Sequence, residues 1–102
     1  MDNAEGTEVR GGRGEEENRI GGKIVDGAFK VYTALGPGLL ESAYEKCLAR
    51  ELEKSGFDCR RQLELPIEYD GEIISAGFRI DLLVAEKVVV EVKAVERIMP
   101  LH

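Results

Sequence analysis

The sequence predicts an α+β domain in which two N-terminal helices pack on an antiparallel three-stranded β-meander. Three observations predict it. Apolar residues recur every three or four positions from Ile20 to Leu52. After Gly56 the period drops to two. Asp70-Gly71 and Ala85-Glu86-Lys87 interrupt that alternation where hairpin turns belong.

The first helix follows from Ile20, Ile24, Ala28, Val31, Tyr32 and Leu35, which fall on one helical stripe. Asn18 is a candidate N-cap. Gly36-Pro37-Gly38 ends the helix, because glycine supplies a left-handed cap and proline cannot continue the hydrogen-bond ladder. The second stripe is Leu40, Ala43, Tyr44, Cys47, Leu48, Glu51 and Leu52, with Gly56 as its stop.

The strands come next. Leu63, Leu65, Ile67 and Tyr69 alternate with Gln62, Glu64, Pro66 and Glu68. A two-residue loop at Asp70-Gly71 pairs residues whose numbers sum to 141. Leu63 then faces Phe78, Leu65 faces Ala76 and Ile67 faces Ile74, all apolar pairs. Pro66 lacks an amide donor, which suits an edge strand. In the stretch FRIDLLVAEKVVVEVKA, residues 78–94, a three-residue loop gives pairs summing to 172. Val84/Val88, Leu82/Val90, Ile80/Val92 and Phe78/Ala94 then form one apolar face. On the other face Leu83 meets Val89, Asp81 meets Glu91 and Arg79 meets Lys93.

Residues 1–18 carry six acids, two bases and four glycines, and almost no large apolar side chain. Such a segment cannot bury enough surface to offset its ordering entropy, so it is expected to be a disordered acidic tail, with residues 19–102 forming a single domain. The net charge of −6 is mostly in this tail; residues 19–102 hold fourteen acids and twelve bases. That balance argues against a general basic coat for nucleic acid, although Arg60-Arg61 allows a local patch. No run is long enough to span a bilayer and the N-terminus has no apolar leader, so no membrane partner and a cytoplasmic location are expected. Cys47 and Cys59 have no metal-ligand spacing and the single histidine is His102, which leaves no zinc set and suggests free thiols in a reducing compartment.

The pairing of Asp81 with Glu91 raises a functional question. Directly opposed side chains have Cβ atoms roughly 5 Å apart, and two carboxylates there repel unless a cation lies between them. Lys93 is two positions along on the same face. Oxygen ligands of this kind suit Mg²⁺ or Mn²⁺, which takes one or two carboxylates and completes its shell with water and substrate phosphate. Such an ion lowers the pKa of bound water and polarises a phosphoryl oxygen, and a neighbouring lysine orients that water. The structural alternative is a solvated outer face on which Lys93 simply neutralises the two acids.

The segment GPGLLESAY, residues 36–44, holds Gly38, Glu41 and Tyr44 at the spacing of a signature. With the pieces LGPGLLE, SGF, PIEYDGE, FRIDLLV and VVVEVKAVERI in order, residues 20–102 resemble the GxxExxY protein family of the PD-(D/E)XK nuclease-like superfamily. The resemblance implies a restriction-endonuclease-like fold. It also implies that Asp81 is a metal-binding aspartate, that Glu91 is a second metal ligand, and that Lys93 positions the attacking water. Glu41 would be a further metal contact; alternatively it is a first-turn acid that complements the helix dipole. Tyr44, inside the apolar stripe, reads as core, and Gly38 as serving the turn.

Two departures accompany the resemblance. Relatives usually continue with another helix and a closing strand, so the domain is expected to lack them and to be truncated. Val88, Val90 and Val92 would then form an uncovered face open to homodimerisation. At Tyr32 many relatives would carry a histidine. The functional expectation is a Mg²⁺- or Mn²⁺-dependent nuclease hydrolysing nucleic acid. The alternatives are a catalytically inactive nuclease-fold binding or assembly module, and a decayed copy that barely folds.

Overall fold

A computed structural model describes residues 14–93 of the chain and the backbone of residues 7–11. The elements run β1 (Thr7–Gly11), α1 (Glu15–Leu35), α2 (Glu41–Lys54), β2 (Cys59–Tyr69), β3 (Glu72–Val84) and β4 (Val88–Val92). The expected α+β arrangement is present. Its meander β2–β3–β4 is extended by β1, which pairs antiparallel with β4 and gives the strand order β1-β4-β3-β2.

The expected tail is corrected in two places. Thr7–Gly11 form a strand, and α1 begins at Glu15 with Gly14 as its N-cap, so Asn18 is helical rather than capping. Both differences have physical causes. A second edge of β4 would expose a row of unpaired amides and carbonyls, and β1 satisfies them with its backbone, which needs no apolar sequence. Glu15, Glu16 and Glu17 occupy the first turn of α1, where carboxylates meet the positive end of the helix dipole. The rest of the tail and residues 94–102, where the expected truncation falls, lie outside the described residues.

The core is the layer between helices and sheet. Ile20, Ile24, Ala28, Val31 and Tyr32 of α1, and Tyr44, Leu48 and Leu52 of α2, pack on Leu82, Val84, Val88, Val90 and Val92. The valine face expected to be uncovered is therefore the buried one. Leu82 and Val84 of β3 and Val88, Val90 and Val92 of β4 meet the two helices, which supply the cover that sequence reading assigned to later elements.

The β3–β4 register is as expected where it is formed: Leu82/Val90, Leu83/Val89 and Val84/Val88. The β2–β3 register is as expected only near its turn, at Tyr69/Glu72, Glu68/Ile73 and Ile67/Ile74. Beyond Pro66 it shifts, so that Leu65 faces Phe78 and Leu63 faces Ile80, not Ala76 and Phe78. One residue of β2 there opposes Ser75, Ala76 and Gly77 of β3, and Ala76 has φ 57°. Pro66 has no N–H to give the ladder, and Gly77 permits the close approach: a Cβ on it would lie 2.5 Å from Ile67 Cγ1. The shift of two keeps apolar residues on the same face.

Cys47 and Cys59 are free, as expected of an unpaired set, and both pack against the core. Burial, then Glu53 and Asp58, push the Cys59 thiol up to about 11 from 9.0. The folded state therefore holds a proton that the unfolded chain releases. Stability conferred by this group should be complete below pH 9 and fall as pH rises toward 11. A smaller loss of urea midpoint over that range in Cys59→Ala than in wild type would show it; equal losses would exclude it.

Candidate active site

A groove of about 1000 Å³ opens beside the end of β4. Glu41, Asp81, Glu91 and Lys93, the four residues singled out from sequence, all line it. Their convergence follows from strand lengths. Among the described residues β4 ends at Val92 and pairs with β3 only through Leu82, so β3 has an open edge from Glu72 to Asp81. The first turn of α2 forms the facing wall.

Asp81 sits where the ladder stops. Its Oδ2 accepts the Val92 N–H at 3.0 Å, so a side chain takes the amide that a continuing strand pair would have used. This corrects the expected pairs Ile80/Val92, Arg79/Lys93 and Asp81/Glu91, none of which forms a backbone pair. Phe78/Ala94 lies partly outside the described residues. Arg79 pairs instead with Glu64 of β2, and its Nη2 lies 3.9 Å from Asp81 Oδ1. Asp81 and Glu91 are both half-buried, and they remain the next facing positions in the register set by Leu82/Val90.

Lys93 follows the last residue of β4 and is exposed. Its carbonyl accepts the Tyr32 hydroxyl at 3.0 Å. Tyr32 thus anchors the main chain that carries the lysine. Glu41 is the first residue of α2 and is exposed, so both of its readings keep a basis: it faces the groove and occupies the first turn of a helix.

Sequence reasoning missed Glu45. It lies one turn after Glu41, is 3% exposed, and also lines the groove. Arg61 Nε donates to its Oε1 at 3.1 Å, and Gln62 Nε2 donates to its Oε2 at 2.6 Å. A buried carboxylate is tolerated because both oxygens have donors, one of them charged. Gln62 reaches it from a backbone with φ 54°, a left-handed conformation in the strand. The clamp ties α2 to β2 and holds the Glu41 turn against the groove. Its one sequence signal was spacing: residues four apart share a helix face, so Glu45 had to point the way Glu41 does.

The donor set fits a hard divalent ion in a limited sense. Asp81 and Glu91 offer carboxylate oxygens in one groove. Among the described residues no three His, Cys, Asp or Glu side chains gather closely enough to cage an ion. Two carboxylates are sufficient for Mg²⁺, which keeps several waters and takes the rest of its ligands from phosphate. No described helix is long and apolar enough to cross a membrane.

Comparison with known proteins returns no matching curated protein and no matching solved structure. The family model of the PD-(D/E)XK nuclease superfamily matches residues 18–102. The match takes in α1 from its fourth residue, all of α2, the whole meander and every residue of the groove, and by it this nuclease-like chain belongs to the PD-(D/E)XK nuclease superfamily.

Proposed function

We propose that the protein is a divalent-metal-dependent nuclease that hydrolyses phosphodiester bonds of nucleic acid, within the GxxExxY branch of its superfamily. The observation that carries this reading is the groove shared by Glu41, Asp81, Glu91 and Lys93. Asp81 and Glu91 would hold Mg²⁺ or Mn²⁺, with Glu41 as a further contact. When bound, the ion supplies positive charge that polarises a phosphoryl oxygen and makes water a better nucleophile. The chain's own groups do the rest. The Val92 N–H fixes the rotamer of Asp81. Tyr32 fixes the backbone at Lys93, whose ammonium orients the attacking water and offsets charge on the phosphate.

A catalytically inactive nuclease-fold binding module is the second reading, and the lack of a third close carboxylate among the described residues favours it. Lys93→Met separates the two. Under the nuclease reading it lowers Mg²⁺-dependent cleavage by about 10²–10³-fold while Mn²⁺ affinity by calorimetry is kept. Under the same reading EDTA should abolish cleavage in wild type. Nucleic-acid binding with no turnover in any divalent metal would favour the inactive module; cleavage indifferent to both EDTA and Lys93→Met would overturn the proposal.

A further inference from the structure

Phe78 is 55% exposed and lines the same groove. An aromatic ring in water at a sheet edge needs an explanation, and its surroundings provide one. The bulge at Ala76 and Gly77 immediately precedes it, so the ring is carried by a defined kink rather than by a loop. Arg79 follows it, with a side chain 62% exposed beside Asp81. Two residues, Arg79 and Ile80, lie between Phe78 and Asp81, a rise of roughly 10 Å along the strand.

We propose that the substrate is a single strand, or an unpaired stretch within a duplex, one of whose bases stacks on Phe78 while a neighbouring phosphate reaches the Asp81/Glu91 edge. This rests on the nuclease reading of the groove. In a duplex both faces of an interior base are already stacked, with a rise of about 3.4 Å per step. A protein ring therefore finds no free face on an interior paired base. Only an unpaired base can turn its face to a side chain. Arg79 adds a guanidinium that can follow the backbone once its weak contact with Asp81 yields. A second copy of the chain is the poorer occupant. A two-fold contact through this groove would bring together two sets of Glu41, Glu64, Asp81 and Glu91.

The test is fluorescence anisotropy with a labelled oligonucleotide, as DNA and as RNA, single-stranded and annealed to its complement, in Mg²⁺. Cleavage is followed on gels. The single strand should bind in preference. Phe78→Leu, which keeps apolar bulk but cannot stack, should weaken it about 5- to 100-fold. Phe78→Tyr should restore it, and circular dichroism should show both variants folded. Equal or tighter duplex binding, unchanged in Phe78→Leu, would overturn the substrate class; cleavage still dependent on Asp81 would leave the nuclease reading standing. Absence of binding to every form, with no cleavage, would overturn both. A dimer in sedimentation that Phe78→Leu dissolves would make the ring an interface residue and overturn the proposal.

Discussion

Asp81→Asn is expected to abolish Mg²⁺-dependent cleavage while leaving the chain folded. The two halves of that result have separate causes. Asparagine is nearly isosteric, and its carbonyl oxygen can accept the Val92 N–H in place of Oδ2. The ladder end therefore keeps its closing bond. The 3.9 Å contact with Arg79 is lost, but it involves an exposed guanidinium, and exposed pairs contribute about 0–1 kcal/mol. The reaction loses far more. Removing Asp81 takes away one of the two carboxylates proposed to hold the divalent ion. An ion's stabilisation of the transition state amounts to several kcal/mol, and about 4 kcal/mol corresponds to 10³-fold in rate. A calorimetric Mn²⁺ titration of wild type beside Asp81→Asn, with a thermal melt of each, checks both halves. Unchanged turnover in a folded variant would remove Asp81 from the site.

Asp81 also marks the boundary of what could be read from sequence. The β3–β4 register was legible because period-two alternation is unforgiving: a two-residue loop would set Asp81 against the apolar Val92. The end of the ladder was not legible. Alternation continues smoothly through Val92, and nothing in it says that a side chain will replace a backbone partner. The β2–β3 hairpin divides in the same way. Asp70-Gly71 determined the register nearest the turn, while the shift at Pro66 depends on how Gly77 lies against Ile67, a tertiary contact. Glu45 was hidden for a different reason. In a helical stripe a glutamate reads as solvent-facing, and the donors that make its burial tolerable, Arg61 and Gln62, lie on another element. β1 was hidden because its partners are backbone groups of β4. Asp81, Glu91 and Lys93 were visible because charge on an apolar strand is locally anomalous, while Glu41 was marked only by the resemblance that GPGLLESAY carries. Their joint presence in one groove depends on where β4 stops.

The groove's other wall depends on Tyr44, and there the expected effect is on stability. Gly38, Glu41 and Tyr44 are spaced three apart, and the tyrosine is fully buried. Its hydroxyl donates to Gly36 O at 2.6 Å and accepts the Leu39 N–H at 3.1 Å, closing the turn that contains Gly38 at φ 96° and delivers Glu41 to the start of α2. Its ring lies 4.5 Å from that of Tyr32, which holds Lys93. The two tyrosines thus join the backbone under Glu41 to the backbone under Lys93. Tyr44→Ala should cost about 3–5 kcal/mol, a large share of the roughly 5–15 kcal/mol that holds a domain together. Tyr44→Phe keeps the ring and leaves two backbone groups without their partner, so it should cost about 1–3 kcal/mol. For a domain of this size that is at least about 4 °C in melting temperature. A tyrosine that took part in chemistry would behave the opposite way, losing rate in the Phe variant at unchanged melting temperature. Thermal melts together with turnover per folded molecule decide between them. The expected result is a lowered melting temperature in Tyr44→Phe with turnover within a few-fold of wild type, because the hydroxyl's two bonds are both spent on the turn and none faces the groove.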